Sequence, residues 1–268
     1  MSNSMQLAAK FRAMAIEMSH RAKTAHLASA LSCIDIVAVL YNSVLRVDST
    51  NPTWSDRDRF ILSKGHAATA LYAALEHKNF IGESDIISYG GEGSLLEEHP
   101  SPKLPGVEAA TGSLGHGLPI GCGIALAGLI KKQTYRTFVL MSDGECNEGS
   151  VWEACLFAAA NKLENLCAFV DFNQWQATGR SKEVLALEPL AEKFRSFGWI
   201  VHEIDGHDHS QLLQAISSPY EGKSKPTMIV AHTVKGKGVS FMEDDNNWHY
   251  RIPTQEEVIL AKTELGVL

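Results

Sequence analysis

The chain has 268 residues, 45% of them hydrophobic, with 24 basic against 31 acidic side chains and a pI near 5.9. That is apolar material for one substantial α/β domain spanning 1–268, with no room for two of that kind. A net charge of −7 implies no basic face and makes nucleic acid an unexpected partner. Met1 to Gln6 is polar and lacks a cationic-apolar leader pattern, so a cytoplasmic protein with no membrane attachment is expected.

From Met5 to Lys23, Leu7, Phe11, Met14, Ile16 and Met18 recur with helical spacing. Ser32 is placed to cap a second helix whose apolar face includes Ile34, Ile36, Val37 and Leu40. Asn51-Pro52 marks a turn. Tyr89 to Gly106 mixes glycine, proline and charge with little periodicity, and a loop of that length in a compact domain is usually functional. Leu118 to Ile130 is too short to span a bilayer and reads as a helix buried against a sheet. Next come two short β-prone runs, Thr137 to Met141 and Leu166 to Val170, separated by the alanine-rich Gly149 to Lys162. A βαβ crossover forces such strands to be parallel and neighbouring or nearly so. Trp199 to Ile204 and Thr227 to Ala231 add two strands around a helical Gln211 to Ile216. Strands alternating with helices predict a doubly wound, mostly parallel sheet flanked by helices. The cysteines, at 33, 122, 146, 155 and 167, form no CxxC pair and read as reduced and structural. Cys146 stands apart because it follows Asp143-Gly144. The tract Lys235-Gly236-Lys237-Gly238 reads as a mobile turn rather than a phosphate cradle.

Ligands in open parallel sheets bind beyond the carboxyl ends of the strands. Asp143-Gly144 and Asn173 each follow one of the central strand runs, so a carboxylate and an amide oxygen converge there. Two hard donors suit Mg²⁺ or Ca²⁺ shared with phosphate oxygens. Gly144 leaves room for phosphate to approach the backbone.

Ser142-Asp143-Gly144 through Asn173 resembles the GDG-to-Asn cofactor motif of thiamine diphosphate enzymes, with Ser in place of the first Gly. Further segments resemble the amino-terminal half of transketolase: Leu62-Ser63-Lys64-Gly65-His66-Ala67, Glu98-His99-Pro100, and Pro105 to Gly117 with His116 where Gln is usual. His26 stands where the family has GHPG, although Ala25, Leu27 and Ala28 depart from that pattern. Asn247-Trp248-His249 follows Lys235 to Gly238 as in the amino-terminal subunits of split transketolases. The likeness runs from about His20 to His249.

The resemblance implies a fold, a cofactor and roles. Thiamine diphosphate chemistry breaks the C2–C3 bond of a ketose and passes a two-carbon unit to an aldehyde, moving protons on and off oxygens. Neutral imidazoles donate and accept near pH 7. His26 and His249 are thereby assigned to proton transfer and oxygen binding, and His66 and His99 to positions near the diphosphate and the two-carbon unit. Gly112, Leu114, Gly144 and Glu145 are expected along the cofactor with His66, Asn173 and His249. Asp143, Asn173 and the carbonyl of Trp175 are expected to ligate the metal. His207 and His209 resemble a metal cluster, yet the family carries a similar Asp-Gly-His-Asp at a strand-to-helix turn, where it caps the helix. Counterparts of Glu148 and Glu153 sit at the family's subunit interface. No segment supplies a pyrimidine pocket with its activating Glu, so a separately encoded pyrimidine-domain subunit is expected, in an α₂β₂ assembly. Two alternatives remain: the α subunit of a 2-oxo acid decarboxylating, acyl-transferring enzyme, or a non-catalytic scaffold subunit. The acceptor sugar is not identified.

Overall fold

The computed structural model describes residues 3–217 and 224–267. Met1 and Ser2, from the polar amino-terminal stretch, and Leu268 lie outside them. The chain opens with helices α1 (Asn3–Ala22) and α2 (Leu27–Val39), the latter continued by a π-helical turn at Leu40–Val44. Strand β1 (Arg59–Leu62) leads through a 3₁₀ turn to α3 (Ala68–His77) and the short α4 (Glu83–Ser88). After the expected long loop come α5 (Gly117–Ile130), β2 (Thr137–Ser142), α6 (Gly149–Ala160) and β3 (Leu166–Phe172). A small hairpin, β4 (Trp175–Gln176) and β5 (Gly179–Arg180), precedes α7 (Ser181–Val184) and α8 (Leu190–Ser196). The rest is β6 (Ile200–Asp205), α9 (His209–Ser217), β7 (Thr227–His232) and α10 (Gln255–Glu264).

The five long strands form one parallel sheet in the order β1-β2-β3-β7-β6. β2 and β3 are direct neighbours, in a register that sets Ser142 opposite Asp171. Both are buried along their whole length, which a sheet covered on two faces requires of its central strands. Alternate residues feed two cores. Phe138, Leu140, Phe169 and Ile229 pack with α1, α2, α3 and α9, whereas Val139, Met141, Val170 and Met228 pack with α5, α6 and α8. The period-2 alternation of strand side chains thus sorts one sequence into two layers.

Helix α2 differs from expectation. It starts at Leu27, and His26 at its head has a left-handed backbone (φ 68°), so Ser32 lies inside the helix and caps nothing. Ser32 instead donates to Ser29 O (3.0 Å) and Asp171 Oδ2 (2.6 Å). Leu27–Val44 is long and apolar enough to cross a membrane by composition, yet 83% of it is buried inside this domain. It is a core helix. α5 is buried against the sheet through Leu118, Gly121, Cys122 and Ala125, but Ile120 and Ile130 on its other side are exposed.

The Asp205-to-His209 segment is a cap. Asp208 Oδ1 accepts the amides of Ser210 (2.9 Å) and Gln211 (3.2 Å) at the start of α9. His207 and His209 instead both point to Asp35 of α2, at 2.7 and 3.0 Å. Among the described residues no three His, Cys, Asp or Glu side chains gather to hold a metal.

Candidate active site

The carboxyl ends of β1, β2, β3 and β7 meet around Asp171, the last buried acid of β3. It pairs with the fully buried Lys64 that follows β1, and accepts hydroxyls from Ser32 and Thr233 and the amide of Asn173 (3.3 Å). Lys64 Nζ also donates to Ser29 O at 2.8 Å. Burial alone would push Lys64 down, but the Asp171 carboxylate holds it above the ordinary lysine value. Lys64 of this buried pair lines a cleft of about 550 Å³.

At one end of the cleft, Asp143 directly follows β2 with 1% of its surface exposed. Its oxygens accept from Gly144 N (2.8 Å) and Ser181 Oγ (2.7 Å), and among the described residues no cationic side chain bonds to it. Burial pushes this carboxyl up to about 6 despite the Ser181 hydrogen bond. Asn173, after β3, turns its Oδ1 toward Trp175 N (3.0 Å), because the chain doubles back into the β4–β5 hairpin. Beside them Asn147 Nδ2 donates to Gln176 Oε1 (3.1 Å), while Asn147 Oδ1 and Gln176 Nε2 are buried without a hydrogen-bond partner among the described residues.

At the other end, imidazoles gather. The His26 ring lies 5.4 Å from that of His66 and 5.0 Å from that of His249, centroid to centroid, and Tyr250 stands 4.7 Å from His249. The backbone fixes this cluster, since His26 N donates to His249 O (2.8 Å). Burial lowers His26, and lowers His66 well below the usual value with help from the Lys64 charge. Burial and Lys235 push His249 down to about 3. These three rings are therefore neutral at pH 7. His99 enters from the long loop and packs on Gly112, where an added Cβ would stand 2.6 Å from His99 Cδ2. Gly112 also has φ 130°, so only glycine fits that turn.

Of the residues expected at the site, His26, His66, His99, Gly112, Leu114, Asp143, Gly144, Asn173, Trp175 and His249 line this cleft. Glu145 does not. It is fully buried and turns inward, accepting from Ser142 N (2.9 Å), Gly115 N (3.1 Å) and Ser63 Oγ, so it ties three loops together behind the wall. Cys146 is buried, with its thiol raised well above the ordinary range, as a core residue. The Lys235 turn is fastened rather than mobile: Lys235 is 1% exposed and donates to Asn246 Oδ1 (2.6 Å) and His249 Nδ1 (2.9 Å). Lys64, Asp171 and Lys235 are the buried charged residues at the cleft to which reading by motif gave no role. The only signal for the two lysines was their place inside segments already noted for other residues.

The donor chemistry fits thiamine diphosphate with a divalent cation. A buried carboxylate without a positive partner, an amide oxygen beside it and two unpaired buried amide atoms suit a metal-bound diphosphate, and neutral imidazoles suit proton handling at the far end. An all-parallel sheet with this cleft at its carboxyl ends suits the class of thiamine diphosphate-binding domains.

Comparison with known proteins narrows the class. Residues 3–268 match the family "Transketolase, thiamine diphosphate binding domain". A protein of Phocaeicola vulgatus named as a subunit of apulose-4-phosphate transketolase is 41% identical over 257 residues, covering 96% of this chain and 92% of that one. The 6-deoxy-6-sulfo-D-fructose transketolase subunit SqwG of Clostridium sp. is 36% identical over 255 residues, covering 95% and 93%. The crystal structure of transketolase from Campylobacter jejuni superposes with a TM-score of 0.93 at 28% identity, over 99% of this chain and 43% of that one. This chain belongs to the transketolase family and is its thiamine diphosphate-binding domain. It spans nearly all of the subunit-sized relatives and less than half of the longer enzyme.

Proposed function

We propose that this chain is the diphosphate-side subunit of a split, cytoplasmic transketolase. With thiamine diphosphate, Mg²⁺ (or Ca²⁺) and a separately encoded pyrimidine-domain subunit, it transfers a two-carbon ketol unit from a ketose or ketose phosphate to an aldose. The observation that carries this reading is the single cleft joining Asp143 and Asn173 to His26, His66, His99 and His249. The match in length to relatives named as transketolase subunits supports the two-chain arrangement.

When bound, thiamine diphosphate supplies the nucleophile and electron sink for breaking and making the carbon–carbon bond. The chain's own residues do the rest. Asp143 and Asn173 through side-chain oxygens, and Trp175 through its carbonyl, hold the cation. Gly144, with no side chain, lets phosphate approach the backbone. Lys235 donates to His249 Nδ1, which places the ring's proton on Nε2, ready to donate to a substrate oxygen. His26 exchanges protons with the neighbouring hydroxyl, while His66 and His99 contact the two-carbon unit and the diphosphate side. The exposed apolar flank of α5 and α6 suits burial against another subunit in an α₂β₂ assembly.

The test is ketol transfer assayed with thiamine diphosphate and Mg²⁺, with and without the product of a neighbouring pyrimidine-domain reading frame. Activity with a ketose phosphate that needs both chains is expected, and no acetyl transfer from pyruvate. Full turnover by this chain alone would overturn the split reading, and turnover of pyruvate in place of the ketose would overturn the reaction class.

A further inference from the structure

The proposed metal ligands Asn173 and Trp175 and the residues Lys235 and His249 come from two loops, one after β3 and one after β7. One cluster at the cleft rim fastens these loops together. Arg180 of β5 grips Asp244 with both guanidinium arms, Nη1 to Oδ1 at 2.8 Å and Nη2 to Oδ2 at 2.6 Å. The same guanidinium lies 3.8 Å over the Trp175 ring, and Trp175 Nε1 donates to Asp244 Oδ1 at 2.7 Å. Asp244 holds a left-handed backbone (φ 58°) and donates its N–H to Lys235 O at 2.9 Å. Asn246 completes the join: its Nδ2 donates to Ala177 O (3.2 Å) and its Oδ1 accepts from Lys235 Nζ (2.6 Å).

Side-chain exposures of 29% and 55% put Arg180 and Asp244 at the surface, where a lone ion pair contributes little. This one is bidentate, stacked on an aromatic face and bonded to an indole N–H, which is the geometry that makes an exposed pair count. A non-glycine residue at positive φ is a further sign that the surroundings hold the loop in place.

We propose that Trp175, Arg180 and Asp244 form a clasp that positions the metal-binding hairpin against the Lys235–His249 loop before the cofactor enters. The inference rests on the thiamine diphosphate reading above. Arg180 and Asp244 are positioning residues, acting through Trp175 and Lys235. Without the clasp the cleft would have to order both loops while it bound metal and diphosphate, and affinity would fall by that ordering.

The variants are Arg180→Met, Asp244→Asn and the double. Hydrogen exchange on the cofactor-free full chain is expected to quicken in both segments, 173–181 and 235–249, in each single variant, with an unchanged melting temperature. Calorimetry of the complex with its partner subunit is expected to show the Mg²⁺ requirement for thiamine diphosphate uptake raised about five- to tenfold in each single variant and no further in the double, because one contact is lost only once. Unchanged exchange with an unchanged Mg²⁺ requirement would overturn the clasp, as would fully additive losses in the double variant. If the wild-type complex takes up no thiamine diphosphate, the proposed function falls, while exchange on the cofactor-free chain still decides the clasp.

Discussion

Asp143 is buried, ionisable and without a cationic partner in contact, an arrangement that works against folding whenever the group is charged. Its folded pKa of about 6 lies above the unfolded value, so its charge opposes stability progressively as pH rises through that window. Asp143→Ala is therefore expected to leave the fold intact while removing Mg²⁺-dependent cofactor binding. Calorimetry showing native, metal-dependent affinity in that variant would show the ligand assignment to be wrong. His99→Ala is expected to lower turnover about a hundredfold or more with cofactor affinity nearly unchanged, as for loss of one general acid/base. Steady-state kinetics at saturating cofactor would detect its failure as wild-type turnover. Lys235 offers a pH test. Burial, aided by the Lys64 charge, pushes it down to about 8. Above that pH the folded chain releases this proton while the unfolded chain keeps it, so stability contributed here rises between about 8 and the ordinary lysine value near 10.4. Turnover should move the other way, falling as the ammonium that fixes the His249 tautomer is lost. A pH–rate profile of Lys235→Met that keeps the same alkaline limb would contradict this.

At the scale of elements, α2 carries one charged side chain, Asp35. Arg12 of α1 and His207 and His209 at the head of α9 converge on it, so one carboxylate pins three elements. Burial alone would raise Asp35, but the Arg12 charge and the histidine hydrogen bonds hold it well below the carboxylate range. Its contribution is full above the unfolded value of about 3.9 and is lost as pH falls below it. Asp35→Asn leaves the Arg12 charge buried and unpaired, and is expected to lower stability by about 3–5 kcal/mol at neutral pH. Urea titrations should show the gap narrowing below about pH 4. The strands β2, β3, β6 and β7 and the helices α1, α5, α6 and α9 were legible as β-prone or helix-like runs alternating along the chain. β1 was hidden because only Phe60, Ile61 and Leu62 follow a charged start, too short a run to show a period. The start of α2 was missed because a left-handed His26, held by His249 O, does what a capping side chain would announce. The lining of the cleft was foreseen at Asp143 and Asn173 from their places after two strand runs, and at the four histidines from the family resemblance. Asp171 was not, since its partners Lys64, Ser32 and Thr233 meet only through the register of β1, β3 and β7 and the packing of α2.

For the whole molecule the unsolved surface is the flank of α5 and α6. A helix apolar on every side is normally buried on every side, and soluble monomers rarely leave such surface bare. Yet Ile130 is 73% exposed, Leu156 58% and Phe157 43%, and Phe157 lines a hollow of about 460 Å³ with Pro119, Cys122 and Glu153. Glu148, just before α6, lines the cofactor cleft, so whatever covers this flank lies next to the active site. The split arrangement proposed above puts its pyrimidine-side subunit on this flank, within reach of the cofactor cleft. Leu156→Lys places a charge on the exposed side of α6 without touching either core. The isolated variant is expected to melt like wild type, because Leu156 is more than half exposed and its loss leaves no cavity. In the presence of the partner it should sediment as a smaller species than the wild-type complex, since burying an unpaired ammonium opposes association. Turnover should fall with it and recover in part as the concentration of both chains is raised, by mass action. A variant that assembles to the wild-type mass at the wild-type concentration would show that this flank faces water in the working enzyme.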